Sequence, residues 1–269
     1  MNNPLRPAWD ALPAIARAHA SVGLILCLDY DGTLAPFPKT PDDRLMSAEV
    51  RATLARLAEH CRLAVLSGRG VANIRAIIGL NSLIFCGNYG MEIEFGGEPA
   101  LSHHVGREFE AIVRAATEAL LQHLGSIGGL YVWNKGRSIA VLHPNMGKSE
   151  SAELVGLVRR VIKLHPGLKV IPGATHIDVR PELDWHKGHA IHWLRDALGP
   201  AKTLPNLIFI SDDVTDEGAM TVLGEKDVGI LVAEAPRPTA ARHRLKDHHD
   251  VGHFLASLES ALAQSRWPR

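Results

Sequence analysis

An excess of either charge is the first thing missing: the 269 residues carry 29 Lys plus Arg against 29 Asp plus Glu. A chain without a net field does not gather polyanions, so nucleic acid and anionic membrane are not expected partners, and any phosphate recognition must be local. Cysteine is scarce. Cys27, Cys61 and Cys86 lie in or beside apolar segments without metal-ligand spacing, which argues against a disulfide framework or a zinc site and predicts buried, reduced thiols. No apolar run approaches the roughly 18 residues of a membrane span. Residues 1–7 lack the basic-then-apolar pattern of a signal peptide, so a cytoplasmic protein is expected. Nothing in the sequence sets the oligomeric state, and a monomer is compatible with it.

What is present begins with Leu24-Ile25-Leu26-Cys27-Leu28-Asp29-Tyr30-Asp31-Gly32-Thr33-Leu34. A run apolar on both faces is a strand buried between helices, and its polar end is where open α/β sheets place ligands. Two carboxylates at that mouth repel each other and resist burial without a counter-charge. Either a cation lies between them, or one is protonated, or both are solvated at a strand end.

The pattern recurs. Apolar runs at 63–66, 83–86, 207–210 and 228–232 are interleaved with helical periods at 47–57, 71–78, 187–198 and 216–223, which predicts a parallel sheet. A helix leads at 8–19, and another closes through Val251, Phe254, Leu255 and Leu258. Ala35–Arg44 is a proline-rich loop, and 236–246 also reads as loop. From about residue 91 the rhythm changes. A hairpin turns at Gly96-Gly97, a helix spans 106–124, and a second hairpin surrounds Asn134-Lys135-Gly136-Arg137. A helix over 150–164, stopped by His165-Pro166-Gly167, and strands at 168–171 and 175–179 follow. Gly199-Pro200 stops the helix that Lys187 opens. The predicted fold is α/β: a Rossmann-like parallel-sheet core, discontinuous over 1–105 and 182–269, with a small α+β cap at 106–181.

The strand ends collect the chemistry. Asp29 and Asp31, then Ser67, Gly68 and Arg69, then Gly87 and Asn88, then Asp212, Asp213 and Asp216 all follow apolar runs, and Lys187 starts a helix. In a parallel sheet these edges share one crevice. Several carboxylates with one or two cations form a hard-oxygen site suited to Mg2+. A serine, a neighbouring glycine N–H and a lysine cradle a phosphate dianion. A carboxylate that attacks phosphorus forms an aspartyl-phosphate, and a second one, two residues on, can move the proton.

Asp29-Tyr30-Asp31-Gly32-Thr33, Ser67-Gly68-Arg69, Lys187-Gly188 and Asp212-Asp213-Val214-Thr215-Asp216-Glu217 resemble the four ordered motifs of the haloacid-dehalogenase-like (HAD) phosphatases. With Gly87-Asn88-Tyr89-Gly90-Met91-Glu92 and Val179-Arg180-Pro181 added, the chain looks like the trehalose-6-phosphate phosphatases. The resemblance implies Asp29 as nucleophile and Asp31 as general acid/base. It implies Mg2+ held by Asp29, Asp212 and the Asp31 backbone. It implies phosphoryl binding by Ser67, Gly68, Arg69 and Lys187, with Asp213 and Asp216 supporting the metal's waters or Lys187. Asn88, Lys135 and Asp178 are the implied substrate contacts. The implied substrate is a small sugar phosphate, trehalose 6-phosphate first. The alternatives are another disaccharide or sugar-acid phosphate, and a sensor that binds a phosphosugar without turnover. The cap departs from the family pattern: Trp133-Asn134 stands where an acid is usual, His143-Pro144-Asn145 lacks an arginine, and Asp178 replaces a glutamate. Polar cap groups select a sugar through hydrogen bonds, so these departures bear on the sugar and not on the chemistry at phosphorus.

Overall fold

The computed structural model describes residues 5–43, 45–96, 101–198 and 206–265. The opening Met1–Pro4, Arg44 of the proline-rich loop, Gly97 of the first hairpin turn and the Gly199-Pro200 helix stop lie outside the described residues. In chain order the first strands are β1 (Arg6–Pro7), β2 (Leu24–Asp29), β3 (Arg62–Leu66), β4 (Ile84–Gly87), β5 (Glu92–Phe95) and β6 (Ser102–His104). Then come β7 (Tyr131–Asn134), β8 (Ile139–Leu142), β9 (Leu168–Pro172), β10 (His176–Pro181), β11 (Asn206–Ser211), β12 (Val228–Val232) and β13 (His243–Leu245). The α-helices are α1 (Leu12–Val22), α2 (Ala48–His60), α3 (Val71–Ile78), α4 (Glu110–Leu124), α5 (Lys148–Ile162), α6 (Lys187–Leu198), α7 (Glu217–Thr221) and α8 (His248–Gln264).

The chain forms two compact units, residues 1–37, 45–103 and 185–269 in one and 38–44 and 104–184 in the other. The larger holds a sheet ordered β1-β13-β12-β11-β2-β3-β4-β5-β6. β1 through β4 in that order are parallel, and β5 runs antiparallel to β4. Every residue of β2 is buried because alternate side chains feed both faces. Leu26 and Leu28 join Ile15, Leu54, Ile74 and Phe254 of α1, α2, α3 and α8. Ile25 and Cys27 join Ile191, Leu194 and Met220 of α6 and α7. Each such leucine or isoleucine stabilises the fold by about 1.5–3 kcal/mol. Ser47 caps α2, its hydroxyl accepting from Val50 N at 3.2 Å, which contributes about 1 kcal/mol.

In the smaller unit an antiparallel sheet, ordered β7-β8-β10-β9, is covered on one face by α4 and α5. Ile139, Val141, Ile177 and Val179 pack into that layer, so the period of two puts His176, Asp178 and Arg180 on the opposite face.

Two expectations need correction. Residues 38–44 belong with the smaller unit, not with the core. A proline-rich loop has no apolar period to announce its partner; this one is organised locally, with Asp43 accepting from Lys39 N, Thr40 N and Thr40 Oγ1. The stretch 236–246 is not all loop, since His243–Leu245 pairs in parallel with β12. Three residues among arginines and histidines are too short for a hydropathy pattern. No helix of the described residues is long and apolar enough to cross a membrane.

Candidate active site

Asp29 is the last residue of β2, and the turn after it fastens β2 to β11. Gly32 has φ +91, in the left-handed region, and a Cβ there would run into the Asp212 carboxylate. Thr33 is buried and makes two bonds to the same residue: its Oγ1 donates to Asp212 Oδ1 at 2.9 Å and accepts from Asp212 N at 3.1 Å. The Asp-Gly-Thr sequence therefore supplies a chain reversal, an open approach and a clamp on a second carboxylate 179 residues away.

Lys187, at the start of α6, is buried between carboxylates. Its Nζ donates to Asp29 Oδ1 at 2.6 Å and to Asp216 Oδ2 at 2.7 Å. Ser211 Oγ donates to the same Asp216 oxygen at 2.5 Å. Asp212 lies near enough to Asp29 for the two carboxyl groups to influence each other's protonation. Burial pushes Asp29 well above the ordinary carboxylate range, and Asp216 and Asp212 add repulsion that Lys187 only partly offsets. Asp212 rises to about 6 for the same first reason, burial. Asp216 is raised too. Burial alone would lower Lys187, but Asp216 and Asp29 carry it above its usual value. One ammonium opposes two buried carboxylates and the half-buried Asp212, so the site is short of positive charge.

The ends of β3 and β4 brace each other. Ser67 N donates to Cys86 O at 2.8 Å, Asn88 N to Arg69 O at 2.7 Å and Tyr89 N to Ser67 O at 2.9 Å. Asn88 and Tyr89 have φ +48 and +61, an uncommon conformation for non-glycine residues. A Cβ at Gly68 would stand 2.8 Å from the Tyr89 ring and hydroxyl, so only glycine fits there without a shift. Ser67 is fully buried, its hydroxyl accepting from Arg69 N at 3.1 Å.

Arg69 makes a carboxylate contact within the site. Its guanidinium forks onto Asp31, with Nε 2.8 Å from Oδ2 and Nη2 2.9 Å from Oδ1, and it lies over the Tyr30 ring at 5.4 Å. The side chain is 2% exposed, so it serves the carboxylate beside it and is not presented as a surface phosphate contact. The Asp213 carboxylate accepts from Thr215 N and Oγ1 at 2.8 and 2.9 Å, closing the turn after β11. The Lys187 support expected of Asp213 and Asp216 comes by hydrogen bond from Asp216. Asp31, Ser67, Gly68, Arg69, Asn88, Lys187, Asp212 and Asp216 thus gather with Asp29 at one sheet edge of the larger unit.

Lys135 and Asp178 belong to the smaller unit and bond to each other, at 3.0 Å. Arg180 Nη2 also donates to Asp178, at 2.7 Å. Burial would raise Asp178, but Lys135 and Arg180 hold it well below the usual range. Asn134, in the place of an expected acid, shapes its hairpin: Oδ1 accepts from Gly136 N at 2.8 Å and Nδ2 donates to Thr117 Oγ1 at 3.0 Å. Arg180 was missed as a partner although it sits two residues from Asp178 on the same strand face. Thr33 was missed as a clamp, and only its place in the motif marked it.

A doubly wound sheet whose central strand ends in Asp-x-Asp, with a lysine and a carboxylate-rich turn from later elements at the same edge, defines the HAD-like phosphatases. The fold agrees with a haloacid dehalogenase-like hydrolase from Bacteroides thetaiotaomicron, at TM-score 0.62 and 17% identity over 88% of this chain and 99% of that one. It also agrees with the C-terminal domain of C. albicans trehalose-6-phosphate phosphatase, at TM-score 0.77 and 18% identity over 95% and 99%. Residues 27–249 match the family model of trehalose-phosphatase, and the chain belongs to that family of phosphoric monoester hydrolases. It is 31% identical to probable trehalose-phosphate phosphatase 3 of Oryza sativa subsp. japonica over 273 residues, 95% of this chain and 74% of that protein.

Proposed function

We propose that the chain hydrolyses trehalose 6-phosphate to trehalose and phosphate through an aspartyl-phosphate, with Mg2+ as cofactor. The observation that carries the reading is the buried Asp29–Lys187–Asp216 group with Asp212 against it, a nucleophile-bearing edge with too little positive charge of its own. Among the described residues no three His, Cys, Asp or Glu side chains gather where a metal would sit. Mg2+ does not need that: one or two carboxylates suffice, with waters and substrate phosphate completing the shell. Asp29, Asp212 and the Asp31 carbonyl are the groups that would hold it. When bound, it supplies the countercharge that lets an anionic nucleophile approach a phosphate dianion.

The chain's own residues do the rest. Lys187 fixes Asp29 through Oδ1 and balances part of the phosphoryl charge, with Ser67 contributing its hydroxyl. An Asp29 oxygen forms a bond to phosphorus as the bond from phosphorus to the sugar oxygen breaks. Asp31 gives that oxygen a proton, leaving trehalose. Water then attacks phosphorus, Asp31 takes its proton, and the acyl phosphate bond breaks to return Asp29. Asp31 Oδ2 accepts one close N–H from Arg69 and keeps a lone pair for this exchange. The smaller unit is assigned the choice of sugar, with Lys135 and Asp178 as its polar groups.

Phosphate release from a panel of sugar phosphates, with and without Mg2+, tests this reading. Trehalose 6-phosphate should show the highest kcat/KM. A better substrate among sucrose-type or glucosylglycerate-type phosphates would replace the sugar, and release from none of them would leave only a phosphosugar sensor. Asp31→Asn should trap the phospho-enzyme; prompt return to free enzyme would contradict the role given to Asp31.

A further inference from the structure

The connection from β12 to β13 sends one cation back to the catalytic edge. Arg237 Nη2 donates to the Asp212 carbonyl oxygen at 3.1 Å, and Nη1 donates to Glu217 Oε1 at 2.7 Å. The other Glu217 oxygen accepts from Thr239 Oγ1 at 3.0 Å and Ala240 N at 2.9 Å. A guanidinium and a carboxylate therefore tie this connection to both ends of the turn 212–217.

That turn is closed at its far end by its own bonds, Asp216 N to Asp213 O at 3.1 Å and Ser211 Oγ to Asp216 Oδ2 at 2.5 Å, and none of them holds the Asp212 carbonyl. The Asp213 carboxylate bonds to its neighbour Thr215, and Val214 is 64% exposed. The turn also carries Asp212, whose carboxylate Thr33 holds at the end of β11, and Asp216, which accepts from Lys187. Thr33 secures Asp212 at its amide and one carboxylate oxygen, and Arg237 secures it at the carbonyl. The two backbone bonds fix where the Asp212 Cα sits, and the Thr33 bond to Oδ1 selects the direction of its carboxylate.

We propose that Arg237, itself fixed by Glu217, is a positioning residue that aims the Asp212 carboxylate at the divalent cation. This rests on the Mg2+ reading given above. Groups that orient a ligand from behind govern metal affinity without joining the ligand set, and their loss weakens binding about 10- to 100-fold.

The experiment is Mg2+ titration of the substrate-free protein followed by thermal shift, together with the Mg2+ dependence of phosphate release. Arg237→Gln should raise the half-saturating Mg2+ concentration about ten-fold in both. Its KM for the sugar phosphate should stay unmoved, and kcat should recover at high Mg2+. Glu217→Gln should shift the same quantity in the same direction by less, and the double variant should be no worse than Arg237→Gln alone. Should Arg237→Gln fail to fold, Arg237→Lys and Glu217→Gln carry the same readout. A Mg2+-responsive wild type beside a variant that only melts earlier, with unchanged half-saturation, overturns the positioning role alone. A wild type whose melting and turnover both ignore Mg2+ overturns that role and the metal reading together.

Discussion

In the larger unit Lys187 is buried between Asp29 and Asp216, with Asp212 beside them; in the smaller unit Asp178 is buried between Lys135 and Arg180, with His176 at 3.6 Å. The parts are the same and the balance is reversed. Around Lys187 the carboxylates outnumber the cation, and burial leaves Asp29, Asp212 and Asp216 all raised. Around Asp178 the cations outnumber the carboxylate, and its pKa is driven well down. A buried charge cluster is stable when internally balanced. The first cluster carries fewer cations than carboxylates, whereas the second is already satisfied on its carboxylate. One arrangement is left with excess carboxylate, and the other ties the β7–β8 turn to β10.

The largest expected effect tests whether the deficit around Lys187 is functional. Asp29→Asn should lower phosphate release by about 10⁴-fold or more, as loss of a covalent nucleophile does. Without Mg2+ the same variant should be more stable than wild type by on the order of 1 kcal/mol, since it removes a carboxylate that the fold disfavours. Retained turnover, or a destabilised protein, would count against the assignment. Next in size, Lys187→Met strands buried carboxylates and should cost about 3–5 kcal/mol in urea unfolding. Lys135→Met leaves Asp178 with Arg180 and should cost less, about 1–2 kcal/mol. Equal losses would erase the contrast between the two clusters.

Which parts of this were legible in the sequence follows from how local each signal is. A strand buried on both faces writes itself as an unbroken apolar run, so β2, β3, β11 and β12 and the polar residues after them could be read directly. Helix α3 spans Val71–Ile78, as its period indicated. Partnership is not local. Arg69 reads as a phosphate contact because it follows Ser-Gly at a strand end. Only the β2–β3 register, with Asp29 beside Leu66, brings it to Asp31. Nothing near Arg237 announces Asp212, 25 residues back. The left-handed Asn88-Tyr89 pair lies between Gly87 and Gly90, but neither of its own positions is a glycine that would mark the conformation. Segment 38–44 and strand β13 were misplaced because a proline loop and three polar residues carry no hydrophobic period.

The smallest expected effect is the sharpest separation of the two clusters, because pH moves them in opposite senses and in different ranges. Asp212 titrates at about 6 in the fold against 3.8 for the unfolded chain, so the folded state holds that proton more tightly. Lowering pH from 7.5 through 6 should therefore stabilise the Mg2+-free protein by on the order of 1–2 kcal/mol, with Asp29 and Asp216 acting in the same sense. Asp178 is depressed: its contribution is complete above the unfolded value and is lost only as pH falls through its lower folded pKa. It is silent across the window in which Asp212 acts. Urea midpoints between pH 7.5 and 5 should rise for wild type without Mg2+ and rise less for Asp212→Asn. Saturating Mg2+ should flatten the trend, because the metal binds the ionised carboxylates and stabilises the fold most where they are charged. An unchanged slope in Asp212→Asn would show that the deficit of positive charge lies elsewhere than on the Asp29–Asp212 pair.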